Sequence, residues 1–126
     1  MNNHLKALDA VLLYVQDPTA SAKFYETLGF SIDATPSGMK LAKLGEFAIE
    51  LMDMATAIFQ QDVPREPKGA GVFLFVKVED IDGYYQELIG QGLKPSSRPT
   101  DYPWGDREFA IKDPDGYKMV FYQAVK

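Results

Sequence analysis

The sequence predicts an α+β fold made of two related modules, each a strand, a helix and further strands. Three observations predict it. Two short apolar runs, VLLYV at 11–15 and VFLFV at 72–76, each precede a helix-like stretch. Each such stretch exits on a glycine, Gly29 or Gly92, followed by an apolar residue. Each half then closes on a similar apolar strand, AIEL at 48–51 or KMVF at 118–121. Agreement of run, helix, exit and final strand in one order marks an internal repeat.

In the first half, Val11 to Val15 is rich in β-formers and ends before Asp17-Pro18, where proline discourages a continuing ladder. Ala22, Tyr25 and Leu28 then recur at three-residue spacing beside Phe24, the period of a helix. Asp17 or Thr19 is suited to cap its start and Gly29 its end. Three β-like pieces follow near 30–33, 39–44 and 47–52, separated by Pro36-Ser37-Gly38 and Gly45-Glu46. The unit is a strand, a helix and a three-strand meander.

Residues 55–70, with Pro64, Pro67 and Gly69, read as a connection. The order then starts again with a strand over 72–78 and a helix over 80–91. A long loop through Pro95, Pro99 and Pro103 leads to strands at 108–111 and 118–122, joined by the turn Asp113-Pro114-Asp115-Gly116. The chain is therefore expected to be one domain over 1–126, with module one near 8–54 and module two near 71–126.

Composition narrows the chemistry. With 46 % hydrophobic and 13 % aromatic residues, 126 residues suffice for one packed core. The absence of cysteine removes disulfide scaffolds, thiolate metal sites and cysteine nucleophiles. A formal charge of -5 lacks the basic face that nucleic acid requires. No apolar run has the length of a membrane span, and the start MNNHLKALDA lacks a secretory signal. The expectation is a cytoplasmic protein with neither a membrane nor a nucleic-acid partner.

Three stretches in order, LDAVLLYVQDPTASAKFYETLGF at 8–30, AIEL at 48–51 and DPDGYKMVFY at 113–122, carry a family resemblance. With them the chain resembles the vicinal oxygen chelate superfamily, which includes glyoxalase I, extradiol dioxygenases, fosfomycin-resistance enzymes and bleomycin-resistance proteins. In character it is most similar to the last group. The resemblance implies two βαβββ modules forming a curved open barrel around a cavity. It also implies that metal ligands, where the family uses them, fall at Ala10, Glu50, Gly71 and Val120 of this chain. Only Glu50 carries a donor there, whereas a divalent ion in such a site needs about three protein ligands. The lone histidine, His4, stands before the first strand, away from those positions.

Side chains two apart on a strand share a face. With the four ligand positions inward, the cavity face receives Leu12 and Tyr14, then Ala48, Glu50 and Met52, then Phe73 and Phe75, and finally Val120 and Tyr122. Val11, Leu13, Val15, Ile49, Leu51, Val72, Leu74, Val76, Met119 and Phe121 are left to pack under the helices. Both faces are apolar, as for strands covered on two sides. Rings stack on planar ligands and attract cations, and Glu50 is placed to fix a positive end unless Arg107 or Lys118 pairs with it. The segment DYPWGDR at 101–107 adds Trp104 as the foremost stacking residue.

The candidate ligand-binding residues are therefore Tyr14, Glu50, Met52, Phe73, Phe75, Trp104, Arg107 and Tyr122. No catalytic residue, metal or cofactor is expected. The leading reading is a metal-free binding protein that sequesters an aromatic or cationic, antibiotic-like compound, and the resemblance implies a homodimer with the pocket at its interface. The alternative is a metal-dependent lyase, isomerase or dioxygenase of the same superfamily, acting on a small oxygenated substrate.

Overall fold

The computed structural model describes residues 4–57, 60–64 and 68–125. The chain divides into two compact units, Met1–Val63 and Pro64–Lys126. Within the expected connection, Pro67 and residues 58–59 lie outside the described residues, and Gln60–Asp62 form one short 3-10 turn.

The first unit runs β1 (Ala10–Val15), α1 (Pro18–Leu28), β2 (Ser31–Ala34), β3 (Lys40–Leu44) and β4 (Phe47–Asp53). Its sheet has the order β1-β4-β3-β2, with β1 parallel to β4 and the remaining pairs antiparallel. The parallel pairing explains why a helix must intervene between β1 and the meander. Asp17 caps α1, its carboxylate accepting from the Thr19 and Ala20 N–H groups at 3.1 and 3.3 Å. Gly29 ends it at a φ of 114°, a left-handed value that glycine adopts without a Cβ penalty. Leu13, Val15, Ala42, Ile49 and Leu51 are buried on the face covered by Ala22, Tyr25 and Leu28 of α1. Burial of one such large side chain stabilises the unit by about 1.5–3 kcal/mol.

The second unit repeats this plan as β5 (Phe73–Lys77), α2 (Ile81–Gly90), β6 (Thr100–Asp101), β7 (Asp106–Lys112) and β8 (Lys118–Ala124). The order β5-β8-β7-β6 reproduces the first sheet, again with one parallel pair, β5 with β8. Neither sheet closes on itself. An aromatic core sits under α2: Tyr84 meets Phe121 edge-on at 5.0 Å, Tyr85 meets Phe109 at 5.2 Å, and Phe109 lies 5.3 Å from Phe121. Exit from α2 copies exit from α1, since Leu93 N–H donates to Leu88 C=O as Phe30 N–H donates to Tyr25 C=O.

Four expectations need correction. The loop after α2 contains a short strand, β6, which pairs Thr100 with Glu108 and Asp101 with Arg107. Its neighbouring prolines concealed it, because the two paired residues lie between Pro99 and Pro103. Strand β7 begins at Asp106, not Glu108, because the Asp106–Ala124 and Arg107–Gln123 pairs extend its ladder. Val72 precedes β5 and is exposed instead of lying under a helix. Finally, the second face of β5 is open: Phe73 and Phe75 are 53 % and 58 % exposed. One helix per unit covers one sheet face, so apolar character on both faces did not mean cover on both.

Candidate functional site

The site is built on the uncovered face of the second sheet. Register places Phe73 beside Lys118, Phe75 beside Val120, Ala110 beside the same Val120, and Glu108 beside Tyr122. Phe75 and Tyr122 meet edge-on at 6.1 Å, and the Lys118 ammonium stands 4.5 Å from the Phe73 ring centre. An ammonium over a ring gains about 0.5–1 kcal/mol at an exposed site.

Two loops raise the walls. Ser96 N–H donates to Ala110 C=O at 2.8 Å, and Ala110 N–H donates to the Ser97 hydroxyl at 3.0 Å, so this loop runs along β7 as an irregular strand. On the other side, residues 102–106 form a tight hairpin: Tyr102 N–H donates to Asp106 C=O at 2.9 Å and Gly105 N–H to Tyr102 C=O at 3.1 Å. Gly105 takes a φ of 94°, which an L side chain rarely adopts. Val125 N–H donates to Gly105 C=O, tying the hairpin to the end of β8. Tyr102 and Trp104 stack within it at 4.7 Å. The walls and the sheet border an open cavity of about 410 Å³ that includes Phe73, Phe75, Tyr102, Trp104, Glu108 and Lys118.

Phe73, Phe75 and Trp104 thus line one cavity, and Tyr122 packs against Phe75. Arg107 does not join them. It points to the helix side of β7, as its neighbour relation to Glu108 requires. There its guanidinium holds Asp82 on α2 (Nη2 to Oδ1, 2.8 Å) and Asp101 on β6 (Nη1 to Oδ1, 3.2 Å). These hydrogen bonds, first to Asp82 and then to Asp101, push its pKa above the usual arginine value. Tyr14, Glu50 and Met52 belong to the first unit, on β1 and β4, where Leu12 pairs with Glu50 and Tyr14 with Met52. The anticipated Glu50 partners are engaged within the second unit, Arg107 with two aspartates and Lys118 with Phe73.

The acid in this cavity is Glu108, which sequence reasoning missed. It is 9 % exposed and lines the cavity together with Trp104. Its Oε2 is buried without a hydrogen-bond partner. Burial first, then the charge of Asp106, pushes its pKa up, while the polar side chain of Trp104 pulls it partly back. The available signal was the alternation of Glu108 with Ala110 on the strand foreseen at 108–111, but the register against β8 was needed to place it.

Donor chemistry does not fit the metal that the resemblance implies. Of the four positions, Ala10, Gly71 and Val120 offer no side-chain ligand. Among the described residues, no three histidine, cysteine, aspartate or glutamate side chains come together to hold an ion.

The profile of the Glyoxalase/Bleomycin resistance protein/Dioxygenase superfamily matches residues 7–121, and the chain belongs to this superfamily. A bleomycin resistance protein of Geobacillus stearothermophilus is 29 % identical over 124 residues, covering 90 % of this chain and 94 % of its own. The protein YraH of Bacillus subtilis is 31 % identical over 121 residues, with the same coverage of both chains. The crystal structure of a glyoxalase/bleomycin resistance protein/dioxygenase from Nocardioides shares the fold at a TM-score of 0.81 and 23 % identity, covering 99 % of this chain and 87 % of that one. Among the described residues, no helix is long and apolar enough to cross a membrane.

Proposed function

We propose that the protein binds a small, flat molecule on the aromatic face of the second sheet, without a metal ion, and acts by sequestering it. One observation carries this reading: Phe73, Phe75 and Trp104, all more than half exposed, line the same cavity. Large aromatic side chains left open together on a folded surface mark a binding area more often than a packing accident. Relatives named for bleomycin resistance support an aromatic or cationic compound, including an antibiotic. Sequestration needs affinity alone, which suits a site with stacking surfaces and no cluster of metal ligands among the described residues.

The protein is further read as a cytoplasmic homodimer with a small molecule, not nucleic acid or membrane, as its partner. The exposed apolar face and the acidic balance support this. Light scattering in solution tests the dimer, and a monomer at micromolar concentration overturns it.

Calorimetric titration with bleomycin and with naphthylamine, read in parallel through Trp104 fluorescence, tests the binding function. Saturable heat and quenching by either compound are expected. Absence of both signals with both compounds overturns the reading. Elemental analysis of chelator-free protein separates it from the metal-dependent lyase, isomerase or dioxygenase alternative, which requires a stoichiometric divalent ion.

A further inference from the structure

Glu108 sits where its backbone has no freedom to retreat. The strand is paired on both sides, with Thr100 of β6 and Tyr122 of β8. Its carboxyl therefore stays on the cavity face, opposite Tyr122 and in a cavity that also holds Ser96, Ser97 and Tyr102, yet none of these hydroxyls bonds Oε2. Its Oε2 is left buried and unpartnered. Most buried polar side-chain atoms in folded proteins have a partner, and an unmatched acceptor is a standing penalty that an incoming donor removes. Lys118, the cation of the same cavity, is drawn over Phe73.

We propose that Glu108 reads the ligand, with Oε2 accepting a hydrogen bond from an N–H group carried by a flat ring stacked on the aromatic face. The inference rests on the aromatic-face reading above and adds the polar feature its ligand must have. Two sources share that chemistry, a neutral aryl amine and a protonated aminomethyl group. Selection follows from burial. A ring without a donor covers the cavity and leaves Oε2 unmatched in a still drier place, whereas a ring with one satisfies it. Trp104 and Glu108 line the same cavity, so a ring stacked on the indole brings its N–H group within the space that Oε2 faces.

Titration of the full chain with naphthylamine, naphthylmethylamine and methylnaphthalene tests the assignment. The three share a ring system and differ in carrying a neutral donor, a cationic donor or none. At least one amine is expected to bind about tenfold more tightly than the hydrocarbon, and the tighter amine identifies the source. In Glu108→Met this advantage disappears while methylnaphthalene binds at least as well as before. An amine advantage that survives in Glu108→Met, or is absent from the unaltered protein, overturns the role of Glu108 and leaves the aromatic-face reading standing. Failure of all three to bind overturns the role of Glu108, and the aromatic-face reading falls with it when bleomycin also fails to bind. Should Glu108→Met not fold, the carboxyl NMR signal of Glu108 in the unaltered protein decides: it shifts with the amine and not with methylnaphthalene, and a signal that the amine leaves unmoved overturns the proposal.

Discussion

The rings of Tyr102 and Trp104 lie face to face, centroids 4.7 Å apart and planes 5° from parallel. A tight turn closed by Gly105 brings them together, and Trp104 remains 64 % exposed although it is one half of a stack. A ring so placed contributes little to the core. Trp104→Ala is therefore expected to leave the thermal midpoint nearly unchanged and to weaken naphthylamine binding by about tenfold or more, since an aromatic stack and its burial are worth about 1–3 kcal/mol. A large fall in the midpoint with unchanged affinity would show that Trp104 is a structural plug.

Arg107 offers a contrasting case. It makes no wall of the cavity, yet it joins α2, β6 and β7 through Asp82 and Asp101 beside the hairpin that carries Trp104. Lysine keeps the charge but cannot span two carboxylates with a planar fork. Arg107→Lys is expected to weaken naphthylamine binding by about two- to fivefold, with Asp101→Asn acting in the same direction. High salt should diminish the difference, because both aspartates are largely exposed. Calorimetry at low and high ionic strength measures it.

Lys68 and Asp115 form an ion pair whose side chains are only 5 % and 4 % exposed. Asp115 belongs to the 113–116 turn, whose closure uses Gly116 N–H to Asp113 C=O at 3.0 Å and two further N–H groups, of Asp115 and Tyr117, on the Asp113 carboxylate. Removing the cation strips a buried charge of its counterion. Lys68→Met is expected to cost about 3–5 kcal/mol in urea unfolding, and Lys68→Met with Asp115→Leu should cost less than the single change.

A pH dependence follows from Glu108. Its carboxyl pKa is raised in the folded protein, by burial and then by Asp106. The folded state therefore keeps the proton to higher pH than the unfolded chain, whose glutamate titrates near about 4.3. Below that value the contribution is fully present; as pH rises through the folded-state pKa it is lost, because the unfolded state releases its proton first. Glu108→Gln, which does not titrate, is expected to gain stability relative to the unaltered protein as pH climbs across this window. Urea midpoints of both proteins at several pH values measure the difference, and parallel profiles would contradict the assignment.

Much of the architecture was legible because local and global signals agreed. Asp17-Pro18 and Gly29 bound α1 through local geometry, and the alternation of Leu13 and Val15 with Leu12 and Tyr14 sorted the covered face from the other. The site was less legible, because its members depend on register between strands distant in sequence. Glu108 and Arg107 are adjacent and both charged, and sequence reasoning chose Arg107. Only the pairing of β7 with β8 shows that the acid faces the cavity and the base faces the helix. Strand β6 was hidden for a related reason: two residues between prolines carry no period, and only the partner strand makes them a ladder.

The duplicated fold has a numerical consequence. Two sheets with the same strand order offer two equivalent platforms, but their furnishings differ. At the positions where the second carries Phe73 and Phe75 on its first strand, the register gives the first Ala10 and Leu12, and the aromatic hairpin with Trp104 has no counterpart between β2 and β3, where Pro36-Ser37-Gly38 turns the chain. Repetition of the backbone has not been matched by repetition of the chemistry. Each chain should accordingly saturate with one equivalent of ligand, while the internal symmetry that a stoichiometry of two would reveal is confined to the backbone plan of strands, helices and caps.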